Sequence, residues 1–254
     1  MLTVEAIFIA QLIVGRDDAR ILTTGDIGAR RQALERIMGV APDDRPEEVW
    51  QALRQEVERL ARCLDVQTPS PAESRTLHCE IRPVAEDEYL PNLITALGQS
   101  SDPSVIPTLI RVVPSGGIAA TAMIRFGELA VPALIDSALS ARSGPWGDES
   151  SGAMLTLARM LEQSAVNADQ RVGDATRRLI TDVARTVLHS KLTWGNQIAV
   201  VGLVLATEEP SLRSEVEALA TDVSEWQRRG VTDPARIAQA QNSIRFQLSR
   251  HPKR

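Results

Sequence analysis

Lysine is almost missing from this 254-residue chain: Lys191 and Lys253 are the only two, and arginine supplies the rest of its 28 basic side chains. Aromatic residues make up 3%, and there are two cysteines and three histidines. Each shortage removes a class of protein. With so few rings the core cannot rest on stacked aromatics, so aliphatic side chains must do the packing. Cys63 and Cys79 do not amount to the disulfide framework of a small secreted domain, and free thiols in a cytoplasmic protein are expected. His78 stands beside Cys79, but His189 and His251 are isolated, and zinc needs three or four converging ligands. No metal and no cofactor are expected.

Positive charge is also short: the net charge is -5 and the isoelectric point about 5.4. That balance disfavours non-specific binding to nucleic acid or an anionic membrane. The arginine skew therefore reads as genome composition, because a phosphate-binding surface would raise the net charge as well. The opening stretch "MLTVEAIFIAQLIVGRDD" is apolar but carries Glu5, lacks a leading basic region and is too short to span a bilayer. It reads as a core helix, with no membrane partner. "GGIAA" lacks the lysine and hydroxyl of a P-loop, "GDESSG" fails the spacing of a nucleophile elbow, and no His-Glu-x-x-His occurs.

What is present is helical periodicity nearly throughout, in a chain that is 43% hydrophobic and 24% charged, the composition of a globular protein. "GDIGARRQALERIMG" opens with Asp26 as a cap and ends at Gly39, with Leu34, Ile37 and Met38 facing inward. "DDRPEEVWQALRQEVERL" puts Pro46 at a helix start and aligns Val49, Leu53, Val57 and Leu60 on one stripe. Three prolines between Asp65 and Pro83 then break the pattern. The expected organisation is an amino-terminal helical subdomain (1–64), a linker or packed loop (65–83) and a helical array (84–254). Within the array, helices are predicted near 86–99, 102–113, 116–126, 128–141, 148–163, 169–189, 193–207, 211–229 and 233–249. Short connections make consecutive helices antiparallel neighbours.

"SVIPTLIRVV" and "LAVPALIDSA", aligned on Pro107 and Pro132, both read apolar-apolar-Pro-small-Leu-Ile, and "YLPNLITAL" echoes them at Pro91. Proline within the first turn of a helix is cheap, so these residues mark helix starts. The pattern resembles HEAT repeats, whose first helix often begins Val-Pro-x-Leu-Ile and whose second runs into an Ala-Leu-Gly ending. The likeness is best from Tyr89 to Leu139; "VPSGG" replaces the usual charged turn, and the 107-to-132 spacing is shorter than the usual period. The resemblance implies an all-α fold, an α-solenoid of antiparallel helix pairs with degenerate repeats. First helices would form its outer layer and second helices an inner, often concave, binding surface.

Three residues stand out as candidates for binding a partner protein. Trp146 sits in the loop "SGPWGDESSG", where it would offer large apolar area at small rotamer cost, or fold back over a helix junction. Arg125 and Arg159 fall near the ends of second helices, which the resemblance places on the inner face; the plainer reading is a cation at a helix carboxyl end. "AEDEY" reads as an acidic helix start rather than a catalytic carboxylate pair, and no catalytic residue is assigned. The leading expectation is a non-enzymatic scaffold for protein-protein interaction. Two alternatives are a HEAT-like DNA-base glycosylase, which would need a basic, aromatic-lined concavity, and a bilin lyase-like protein, for which no catalytic constellation is present.

Overall fold

The structure, a computed structural model, describes residues 15–65, 88–113, 117–140, 143–144, 147–167, 171–190 and 194–252. Among the described residues the regular structure is all helical apart from a two-residue antiparallel bridge pairing Ser143 with Asp148 and Gly144 with Gly147. The chain divides into two compact units, Met1–Arg125 and Phe126–Arg254.

In the first unit α1 covers 15–24, α2 Ile27–Met38 and α3 Glu47–Asp65. They are followed by α4, Tyr89–Leu97, α5, Ile106–Val112, and α6, Gly117–Arg125. Asp26 caps α2 by accepting from the Ala29 amide at 2.8 Å, and Val49, Leu53, Val57 and Leu60 are all buried on α3. Helix α1 is described from residue 15; 1–14, the rest of the stretch read as a core helix, lies outside the described residues. The segment 65–83 lies outside them too, save Asp65, but the helices on either side of it share one core. Helix α3 packs on α4 and α5, α2 packs on α4, and α6 packs on both α4 and α5.

That core holds buried charges. Glu56 is 1% exposed and accepts at Oε2 from Arg30 Nη1 (2.6 Å) and Arg59 Nε (2.6 Å). Its Oε1 accepts from Arg59 Nη2 (2.7 Å) and the Tyr89 hydroxyl (3.0 Å). A buried carboxylate is tolerable when its lone pairs are filled in this way. Burial, and then the Glu56 charge, push the Tyr89 hydroxyl well above its usual range, so it stays protonated as a donor. The cluster fastens α2, α3 and α4 together.

In the second unit α7 covers Val131–Leu139, α8 Glu149–Val166, α9 Asp174–His189 and α10 Trp194–Thr207. Helices α11, Pro210–Thr221, α12, Val223–Arg228, and α13, Pro234–Arg250, complete it. Consecutive helices pack, as α7 on α8 and α9 on α10, but so do helices farther apart in the chain: α7 on α9, α8 on α10, and α10 on α13. Helix α10 is buried on nearly every side from Ala199 to Thr207, in keeping with its apolar sequence.

The prolines do stand at helix starts: Pro107 and Pro132 open α5 and α7, each entered through a 3-10 turn, and Pro91 lies in the first turn of α4. Two residues after each proline comes a leucine, Leu93, Leu109 and Leu134, and all three are fully buried. The predicted single helix 211–229 is broken. Asp222 leaves helical geometry and its side chain caps α12 by accepting from the Ser224 amide at 2.8 Å, so Val223 turns outward instead of joining the inner stripe. Trp226 stays in the core, donating from Nε1 to the Leu219 carbonyl at 2.7 Å.

Candidate functional site

Of the residues singled out in the sequence, Trp146 lies outside the described residues. Arg125 is in the first unit, on α6, and donates from Nη1 to the Gly98 carbonyl at 3.2 Å, the cap of α4. It is therefore engaged at a helix carboxyl end, where the last carbonyls lack intrahelical donors. The same device recurs. Arg30 donates to the Thr23 and Gly25 carbonyls at the end of α1, and Arg45 donates to Ala96 in the last turn of α4. In the second unit Arg229 donates to Leu188 of α9, Arg245 to Ala220 of α11, and Arg213 to His251 just past α13. Six of the arginines thus have a structural use, which composition alone did not suggest.

Arg159 is different: it is exposed on α8 and forms no ion pair among the described residues. It belongs to a stripe. Leu155, Arg159, Glu162 and Val166 recur at steps of four, three and four residues, which places them on one face of the helix, and all four are exposed. Leu155 is 48% exposed, and on α13 Phe246 is 63% exposed with the Arg250 guanidinium 5.8 Å from its ring centre. Glu162 Oε1 lies 3.8 Å from His251 Nε2, bringing the carboxyl-terminal part of α8 to the end of α13.

Both helices pack on α10, and Gly202 of α10 lies between Leu155 and Gln247. A Cβ built there would sit 3.7 Å from Leu155 Cδ2 and 3.8 Å from Gln247 Oε1, ordinary contact distances. Alanine would fit. A glycine inside a helix costs about 1 kcal/mol relative to alanine, so its presence here is not required by packing. The Gln247 oxygen beside it is buried and has no hydrogen-bond donor among the described residues, a deficit worth about 1–3 kcal/mol. Two destabilising features therefore meet where α8 and α13 pack against α10. At the end of α13, Arg250 and His251 line a groove of about 620 Å³ whose apolar lining is Val204, Leu205, Pro210 and Pro252.

Sequence reading named Arg159 and missed Leu155, Gly202, Phe246, Gln247 and Arg250. Two signals were available: the glycine interrupting "AVVGLVLA", and Phe246 lying off the buried stripe of Ile237 and Ile244 in a chain so poor in rings. Among the described residues no group of three or more His, Cys, Asp or Glu side chains converges to hold a metal ion, and no single helix is long and apolar enough to cross a membrane. No protein family, characterised protein or solved structure matches the chain.

Proposed function

We propose that the protein is a non-enzymatic helical scaffold, a HEAT-like α-solenoid of degenerate repeats, that binds another protein in the cytoplasm through the surface formed by α8, α10 and α13. The observation that carries the reading is the exposed Leu155 and Phe246 beside Arg159 and Arg250, where apolar and open cationic side chains occur together on α8 and α13. Interfaces draw their strength from such anchors, aromatic and arginine side chains above all. Support for the solenoid arrangement comes from the contacts of alternate helices, α7 with α9 and α8 with α10, with α13 on α10 next if the broken pair α11 and α12 counts as one, and from the three proline-led helices with their equivalent buried leucines. By that arrangement α8, α10 and α13 are second helices of their pairs, the layer that the resemblance assigns to the inner face.

The test is an affinity capture from native extract with the wild-type chain and with Phe246→Ala, Arg159→Glu and Trp146→Ala, each checked for unchanged helicity and Tm. Capture of one protein, lost with Phe246→Ala or Arg159→Glu, is the expected result. Loss with Trp146→Ala alone moves the site to the loop. Recovery of nucleic acid or pigment in place of a protein, or of nothing above background, overturns the reading.

A further inference from the structure

We propose that α8 pairs antiparallel with the α8 of a second copy of this chain, through the stripe Leu155, Arg159, Glu162 and Val166, to make a two-fold dimer. This goes beyond the reading above, in which the same stripe faces another protein. From Ala153 to Ser164 the exposed residues of α8 are Leu155, Arg159 and Glu162, with Gln163 half-buried, and Val166 at the helix end is 83% exposed. The helix has one open face. Its steps of four, three and four residues are those of a coiled-coil seam, which keeps one helix face against another over about 16 Å.

The order of residues on the seam selects the partner. Counted from its middle, between Met160 and Leu161, Arg159 and Glu162 stand at equal distances on opposite sides, and so do Leu155 and Val166. A two-fold axis there sets Arg159 of each copy against Glu162 of the other, and Leu155 against Val166. Such self-complementarity is what a two-fold interface requires. A parallel pairing would set arginine on arginine and glutamate on glutamate. Neither charge is used up within the chain. Arg159 forms no ion pair among the described residues, and Glu162, 47% exposed, has only His251 as an ion-pair neighbour, at 3.8 Å. A foreign helix would need the same four residue types in reverse order; a second copy supplies them. One helix face falls short of the roughly 800 Å² per partner of a standard interface, so the contact must extend further. Helix α13 runs beside α8, with Gln247 near Leu155 across Gly202 and His251 near Glu162, and carries the exposed Phe246 and Arg250. The dissociation constant expected of so small and polar an interface is about 10–100 µM.

Sedimentation velocity over a concentration series tests this with the full chain as wild type, Arg159→Glu, Glu162→Arg and an equimolar mixture of the two variants, each checked for unchanged helicity and Tm. Wild type should dimerise. Each variant alone faces like charges twice across the axis and should dimerise at least about tenfold more weakly, whereas the mixture, Glu against Arg at both positions, should recover wild-type strength within about threefold. A wild type monomeric at about 200 µM, variants as dimeric as wild type, or a mixture no stronger than its components overturns the inference. A monomeric chain that still captures a protein from extract sinks the dimer and leaves the scaffold standing; a dimer that captures no other protein does the reverse.

Discussion

Arginine and lysine carry the same charge, yet this fold could not exchange one for the other. A guanidinium reaches two carbonyls at once from a planar fork, which an ammonium on a flexible stem does not. Arg45 illustrates the demand. It is buried, donates to the Val40 carbonyl at 3.1 Å and to Ala96 at 3.3 Å, and lies 5.3 Å from the Trp50 ring centre. Burial lowers its pKa, a cost that a lysine, with its lower intrinsic value, would bear by losing its proton more readily. Arg45→Lys should therefore destabilise the protein by about 1–3 kcal/mol, read as a lower urea midpoint with unchanged slope. Glu56 is more exacting, because Arg30 and Arg59 both depend on it. Glu56→Gln preserves shape but leaves the buried Arg30 without a counter-charge and should cost about 3–5 kcal/mol. A loss under 1 kcal/mol in denaturant titration would mean that the backbone carbonyls at Thr23 and Gly25 suffice to hold Arg30.

At the scale of elements, what a residue does depends on where helices end, and one such end is sensitive to pH. The Asp222 carboxylate, hydrogen-bonded first by the Ser224 side chain and then by its backbone amide, is held below its ordinary value of 3.8. A depressed carboxylate contributes stability above that ordinary value and loses it as pH falls through the folded value. The break between α11 and α12 should thus loosen in acid below about pH 4, and Asp222→Ala should lower Tm at pH 7 but leave it nearly unchanged at the acid end. Equal losses at both pH values would show that the cap acts without its charge. Helix starts were readable in the sequence, since Pro107, Pro132 and Asp26 act through local sterics and local hydrogen bonds. The break at Asp222 was not, because the apolar spacing from Leu212 to Trp226 continues helically across it and only the capping geometry interrupts the turn. The arginine caps were equally hidden: Arg229 and Leu188, or Arg245 and Ala220, are far apart in sequence and meet only through packing. The candidate surface was half visible, for Arg159 could be named from its place in a repeat, while its members on α8 and α13 come together only through packing on α10.

For the whole molecule, global and local charge oppose each other, and that opposition has a measurable signature. The chain carries a net charge of -5, but the open charges on the proposed surface are the guanidiniums of Arg159 and Arg250. A second copy is repelled at long range and attracted at contact, where each Arg159 meets a Glu162. Salt screens the two unequally: the Debye length falls from about 30 Å at 0.01 M to about 10 Å at 0.1 M and about 3 Å at 1 M. The first step removes repulsion from charges spread over the molecule while sparing contacts of a few ångströms; the second weakens the contacts themselves. The affinity of one copy for another should therefore pass through a maximum near 0.1 M salt, rising from 0.01 M chiefly through the association rate and falling toward 1 M. Duplex DNA, which binds by releasing counterions, should instead weaken at every step if it is held at all. Sedimentation of the dimer across that series decides the matter. A monotonic fall would mean that the contact pairs outweigh the net charge even at about 0.01 M salt, and a flat profile would remove Arg159 and Glu162 from the interface and leave only the apolar anchors.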